Sequence, residues 1–207
     1  MFYATALIVF SYLFGSIPFG LLIGKAFYKT DIREHGSRNI GATNAFRILG
    51  PSAGAAVFLA DLMKGLIPVM LAKYAVPLNP DTIPLVGVLS GISAILGHSY
   101  SIFLRFSGGK GMSTAGGFVL ALWPKVGLIL IIIWATILIS TKYSSVASLT
   151  IAIMLPVLVT ILYPKPVYIG FAVAVTVVLV YRHRSNIARL MAGKELKLGQ
   201  KASMEED

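Results

Sequence analysis

The chain has 207 residues and is 57% hydrophobic, with a mean hydropathy of +0.82 and only 13% charged residues; an ordinary soluble domain carries roughly 25%, so this composition describes an integral membrane protein. The net charge of +10 does not signal nucleic acid, because the basic residues are scattered between apolar runs and form no continuous stripe with interleaved aromatics. No cysteine is present, which removes disulfides, thiolate metal sites and cysteine nucleophiles together.

The first apolar run, 2–24, has no basic leader. Positive charge arrives only afterwards, at Lys25, Lys29, Arg33, Arg38 and Arg47, the pattern of a retained span with its N-terminus outside rather than of a secretory signal. The polar stretch from His35 to Arg47 then gathers Ser37, Asn39, Thr43, Asn44 and Arg47 around Gly36 and Gly41. Groups of this kind are costly against hydrocarbon and read as a working site; Arg38 reads as a residue of a hydrated loop. Thr43 or Asn44 is placed to cap a helix beginning near Ala45, with Arg47 in its first turn. A cation there opposes the helix dipole, which hints at an anionic ligand.

The second run, 51–72, carries Asp61 and Lys64 three residues apart, an arrangement that predicts a structural ion pair. In the third run, 82–104, His98 and Ser99 fall near the cytoplasmic end, either bracing the next loop or acting directly. That loop is Ser107-Gly-Gly-Lys-Gly111. Gly108, Gly109 and Gly111 let backbone N–H groups curl round an anion, a helix starting at Met112 adds positive partial charge, and Lys110 adds a full one. It is not a Walker loop: Leu104 stands where the first glycine is required, and Gly111 follows the lysine in place of Ser or Thr.

The fourth run, 112–122, is short for a span of about 20 residues. Trp123-Pro124-Lys125 separates it from the fifth, 124–140, as an aromatic anchor, a helix breaker and a charge. In the sixth run, 145–162, Ser145 and Ser148 lie three apart, as packing residues or with Ser148 facing a site. The seventh, 166–181, ends in Tyr181-Arg-His-Arg-Ser-Asn186, which puts His183 and Asn186 on one helical face; Arg182, Arg184 and Arg189 read as topology determinants. The whole of 1–207 reads as one domain, with a solvated tail from about 197.

Charge bookkeeping favours an all-α, polytopic protein of seven transmembrane helices with its C-terminus cytoplasmic. With seven spans, fourteen Lys and Arg residues lie inside and three, Lys73, Lys125 and Lys165, outside; merging the fourth and fifth runs leaves eight on each side, against the positive-inside rule. The same topology puts all three polar signatures on the cytoplasmic side, where they can share one site. The short fourth span is then tilted, or shielded by neighbouring helices rather than lipid.

The set Gly15-Ser-Ile-Pro-Phe-Gly20, Gly36-Ser-Arg-Asn-Ile-Gly-Ala-Thr-Asn44, Asp61-Leu-Met-Lys-Gly65, Gly97-His98, Gly108-Gly-Lys-Gly111, His183-Arg-Ser-Asn-Ile187 and Gly193-Lys-Glu195 resembles, in order and over nearly the whole chain, the bacterial membrane acyltransferases that use acyl-phosphate to acylate glycerol 3-phosphate. Arg38 sits at a position that the family leaves variable, and Met112-Ser113 replaces the more usual Val-Ala. The resemblance implies transfer of a fatty acyl group to the 1-hydroxyl, giving lysophosphatidic acid and inorganic phosphate in the first acylation of phospholipid synthesis. It implies no cofactor and no metal, and a cytoplasmic site in the bacterial inner membrane, in contact with membrane lipids. Ser37, Lys110, His183 and Asn186 are then the expected catalytic residues, and Asn39, Thr43, Asn44, Arg47, Gly108, Gly109, Gly111 and Ser148 the expected substrate-binding ones.

These residues have the right charge for two phosphorylated reactants. Acyl-phosphate is already an activated anhydride, so the site needs positioning, an oxyanion partner and an acceptor for one proton. Two nearby phosphates are expected to keep His183 cationic, leaving the acceptor's own phosphate, with a second pKa near 6, to take the proton. Against a membrane phosphatase or phosphotransferase, no segment pairs acids at spacings suited to Mg2+. The soluble-type His-x4-Asp pattern is also missing, since Ile40, Phe103 and Ala188 lie five after the three histidines. An organophosphate or anion transporter is the remaining alternative; it requires cations along a path from both sides, and the outer loops are poor in them.

Overall fold

The computed structural model describes residues 1–200, whose regular elements are all helices, with no strand among the described residues; residues 201–207 lie outside them. The first apolar run is two helices, α1 (Phe2–Ser16) and α2 (Phe19–Tyr28), bent by 41°. Pro18 sits at the break. It lacks an N–H and disfavours helical backbone in Ile17. The junction is tied down by Ser101, whose hydroxyl donates to the Ser16 carbonyl at 2.5 Å.

After α2 the chain loops to α3 (Ala42–Leu49) and α4 (Pro51–Tyr74), the latter starting with a proline in its first turn, where the missing N–H costs nothing. The third apolar run is helical only as α5 (Ile83–Ser99); the remainder folds into a tight loop with a 3-10 turn at Ile102–Leu104, closed by a single bridge between Ser101 and Ser107. Beyond the glycine loop come α6 (Met112–Leu122), α7 (Pro124–Thr141), α8 (Ser144–Leu162), α9 (Pro166–Arg182) and α10 (Arg184–Met191).

The break between α6 and α7 falls at Trp123, but its side chain is not an interfacial anchor. It is buried, edge-on to both Phe118 and Tyr168 at 5.6 Å between ring centroids. Helix α6 spans only about 16 Å at 1.5 Å per residue, roughly half the ~30 Å hydrocarbon core. Thr114, Ala115, Gly117, Phe118, Val119 and Ala121 on it are buried, so neighbouring helices shield it.

Small residues allow the closest packing. A methyl on Gly65 of α4 would strike the backbone of Thr114, and one on Gly117 of α6 would strike that of Leu62. Backbones approach this closely in membranes because dispersion replaces the hydrophobic drive between helices. The core follows from this packing: Phe118, Val119, Trp123, Val126, Leu155 and Leu179 are buried together. The outer faces carry exposed Ile132, Ile139, Ile153, Ile161 and Val177.

Helices α4, α7 and α8 are each long and apolar enough to cross a membrane, and the bent pairs α1 with α2 and α9 with α10 qualify when each is counted as one span; α5 and α6 are shorter apolar helices. The chain is a multi-pass, all-helical membrane protein.

Candidate active site

Asn44 organises the loop between α2 and α3. It is buried, its Nδ2 donates its two hydrogens to the carbonyls of Ile32 (2.8 Å) and Asn39 (2.9 Å), one of them shared with the His35 carbonyl (3.2 Å), and its Oδ1 accepts from the Ser37 N–H at 2.9 Å. Asn39 turns the chain by accepting from the Gly41 N–H at 2.9 Å. The Ser37 side chain is left exposed on the surface of this loop. Helix α3 starts at Ala42 with Gly41 at its cap position and no side-chain cap. Thr43 instead pairs with Ser144 at the start of α8, 3.1 Å away.

Arg47 lies in the last turn of α3, where a cation complements the helix dipole instead of opposing it. Its Nη2 reaches the Leu196 carbonyl at 3.5 Å, while its Nε is buried without a partner. Burial, with Arg189 nearby, pulls its pKa down from the usual arginine value, against the attraction of Glu195.

The glycine loop rests on the end of α5. The Gly109 N–H donates to the His98 carbonyl at 3.0 Å, and a Cβ on Gly109 would run into the His98 ring. His98 is buried beside the Asp61–Lys64 pair: Lys64 Nζ is 2.7 Å from Asp61 Oδ1 and 3.4 Å from His98 Nδ1. Gly111 has φ +80°, a conformation that glycine adopts without strain, and turns the chain into α6. The first rung of that helix is Ala115 N–H to Gly111 O, so the N–H groups of Met112, Ser113 and Thr114 are the unpaired donors at its N-terminus.

Lys110 sits among Arg189, Glu195, Arg47 and Arg182. Burial, followed by the repulsion of Arg189 and partly offset by Glu195, pushes its pKa down to about 8. His183 occupies the 56° turn between α9 and α10. Its Nδ1 lies 2.8 Å from the Leu179 carbonyl, which fixes the proton on Nδ1 and leaves Nε2 as an acceptor. Burial outweighs that hydrogen bond, and with Lys110 close by the imidazole is pushed down to about 4.

Glu195 closes the arrangement. Asn186 Nδ2 donates to its Oε1 and Arg189 Nε to its Oε2, both at 2.7 Å. Burial opposes its ionisation, but Asn186, Ser145 and Arg189 around it keep its pKa below the usual glutamate value. Four basic groups, one histidine, a helix N-terminus and a single carboxylate thus converge from four parts of the chain, with unmet hydrogen-bonding capacity at Arg47 Nε and Asn186 Oδ1. Such a concentration of cations suits an anionic ligand. Among the described residues no group of three or more His, Asp or Glu is arranged to hold a metal ion.

The sequence profile of the family described as glycerol-3-phosphate acyltransferase matches residues 5–193. A glycerol-3-phosphate acyltransferase of Fusobacterium nucleatum is 41% identical over 190 residues, spanning 92% of this chain and 95% of its own. The chain belongs to the glycerol-3-phosphate acyltransferase family. A Staphylococcus haemolyticus relative of the same name is 42% identical over 198 residues, covering 94% of this chain and 97% of its own. The acyltransferase is also similar to the crystal structure of PlsY (YgiH), an integral membrane glycerol 3-phosphate acyltransferase, in its glycerol 3-phosphate form: TM-score 0.87 at 37% identity, covering 95% of this chain and 96% of the other. The lysophosphatidic acid form gives 0.83 at the same identity, over 94% of each.

Within the acyltransferase fold, Arg47, Lys110, His183 and Asn186 are brought together, with Ser148 buried on α8 beyond Ser145. Asn44 differs from its expected role, since its amide is spent on the loop. So do Gly108 and Gly109: Gly109 has its N–H committed to His98, and the two carbonyls are held by Arg182. Glycine is required at both because they lie against the end of α5. The protein's own groups favour the neutral His183 ring; the cationic state is expected only of the ring beside two substrate phosphates. Glu195 and Arg182 carry no local signal in the sequence of what they bind: one is an acid fourteen residues past the seventh apolar run, the other one arginine among several.

Proposed function

We propose that the enzyme transfers an acyl group from acyl-phosphate to the 1-hydroxyl of glycerol 3-phosphate at this cluster, on the cytoplasmic side of a bacterial inner membrane crossed seven times. Family membership makes it an acyltransferase acting on glycerol 3-phosphate to give lysophosphatidic acid. Five helical units pass as spans when the bent pairs are joined, and the shorter apolar α5 and α6 bring the count to seven; with them the charge asymmetry of the loops supports a cytoplasmic site. The donor reading rests on the cationic convergence of Lys110, Arg47 and Arg189 around a helix N-terminus, which suits a second phosphate better than a thioester alone.

In this reading Lys110 and the N–H groups at the start of α6 hold one phosphate, and Arg47, with its free Nε, holds or neutralises the other. Neutral His183 presents Nε2 as a hydrogen-bond acceptor that aligns the attacking hydroxyl. A ring with so low a pKa is a poor base, and one charged by neighbouring phosphates is no better, so the acceptor's phosphate takes the proton. The hydroxyl oxygen bonds to the acyl carbon, the acyl–phosphate C–O bond breaks, and inorganic phosphate leaves with the electron pair. Ser37, Asn39, Thr43, Asn44, Asn186 and Ser148 serve by shaping the chamber.

The test is a metal-free assay of purified protein with glycerol 3-phosphate and either acyl-phosphate or acyl-CoA. Lysophosphatidic acid formed from acyl-phosphate and not from acyl-CoA is the expected result, with large losses in Lys110→Ala and His183→Ala; equal use of acyl-CoA contradicts the donor assignment.

A further inference from the structure

The glycine loop has little conformational preference of its own, so something must hold it in one shape and keep its carbonyl oxygens occupied. Carbonyl oxygens turned toward a phosphate would repel it; N–H groups attract it. Arg182, at the end of α9, takes up both glycine carbonyls. Its Nη2 donates to Gly108 O at 2.9 Å and to Gly109 O at 2.7 Å, and its Nε donates to Gly109 O at 3.1 Å. The guanidinium itself lies over the Tyr100 ring, its Cζ 4.9 Å from the centroid, and the Tyr100 carbonyl is anchored by the Tyr12 hydroxyl at 2.8 Å.

The peptide joining Gly108 to Gly109 is therefore pinned at both ends, its carbonyl on Arg182 and its N–H on His98. In the next peptide the Gly109 carbonyl is on Arg182, and a planar trans unit points its N–H, that of Lys110, the opposite way.

We propose that Arg182 is a positioning residue for substrate phosphate: by taking up both glycine carbonyls with one guanidinium, it fixes the loop that carries Lys110 and leads into the N-terminus of α6. This rests on the reading of the glycine loop as a phosphate site. The role requires a planar fork spanning two carbonyls, which lysine, a point donor, does not reproduce. Arg184, two residues on, supplies the contrast: it is exposed, stacks on Tyr181 and bonds only the Tyr181 carbonyl, at 3.3 Å.

The experiment compares wild type, Arg182→Ala, Arg182→Lys, Arg184→Ala and Lys110→Ala for the KM of glycerol 3-phosphate, kcat, and inhibition by inorganic phosphate. Both Arg182 variants are expected to weaken phosphate inhibition or raise KM by about tenfold or more, the equivalent of one or two charged hydrogen bonds, with a smaller change in kcat. Ethylguanidinium is expected to restore Arg182→Ala in part, and Arg184→Ala to behave as wild type. Wild-type behaviour of Arg182→Lys, or an equal loss in Arg184→Ala, overturns the proposal. Should Lys110→Ala leave phosphate inhibition and KM unchanged, the phosphate reading of the loop fails first and this proposal with it; a defect in Lys110→Ala but none in Arg182→Lys removes the role of Arg182 alone.

Discussion

Asn186 donates to Glu195 Oε1 and Arg189 to Glu195 Oε2, each across 2.7 Å, so one carboxylate stitches α10 to the segment that follows it. The Arg47 guanidinium reaches that same segment at the Leu196 carbonyl. The Glu195 carboxylate is largely buried but its partner Arg189 is more than a third exposed, which discounts their charge pairing for solvent; Glu195→Ala is expected to cost about 1–2 kcal/mol of stability through the lost hydrogen bonds. Activity should fall more steeply than stability, because Asn186 and Arg189 lose their alignment. Thermal unfolding and turnover of the same detergent-solubilised sample check this, and unchanged turnover would remove Glu195 from the site.

The depressed pKa of Lys110, about 8, gives a pH signature. The ammonium is charged below that value and neutral above it, and glycerol 3-phosphate is already a dianion there. The kcat/KM for glycerol 3-phosphate should therefore decline as pH rises through about 8, since this ratio reports groups of the free enzyme. Lys110→Arg, which stays charged, should flatten the decline even if its absolute activity is lower. A profile unchanged by Lys110→Arg would assign the titration to another group.

Asn44 distinguishes a loop organiser from a substrate ligand. Its four hydrogen bonds hold Ile32, His35, Ser37 and Asn39 in one turn. At roughly 1 kcal/mol net for each bond, some of which water replaces, Asn44→Ala should lower stability by about 2–3 kcal/mol. A raised KM with an unchanged unfolding midpoint would show direct contact with substrate instead.

Proton transfer to the acceptor's own phosphate predicts that a sulfate analogue of glycerol 3-phosphate turns over poorly even when saturating, because sulfate is far less basic. Undiminished turnover of the bound analogue would rule this route out.

The helices and their order were legible because apolar runs bounded by charge and proline leave few alternatives: Trp123-Pro124 does end α6, and the Asp61–Lys64 spacing does give an ion pair. What was not legible depended on partners distant in sequence. The run 82–104 reads as one span, yet Ser101 is drawn to Ser16 and Ser107, and the helix stops at Ser99. Arg47 reads as a first-turn cation until Gly41 starts α3 three residues earlier than expected and leaves Arg47 in the last turn. Gly108-Gly109 reads as a cradle of N–H groups, a natural inference from composition, but the end of α5 beneath it and Arg182 beside it decide which donors remain free. Glu195 gains its meaning only once Asn186, Arg189 and Arg47 surround it.

Segments far apart in sequence are proposed to face a single cytoplasmic chamber. Because the chain has no cysteine, Ser37→Cys and Ser185→Cys, both at exposed positions in the loop before α3 and in α10, can be labelled singly with a membrane-impermeant thiol reagent in sealed vesicles of known orientation. Both are expected to react from the cytoplasmic face alone; reaction of the two from opposite faces would contradict the account.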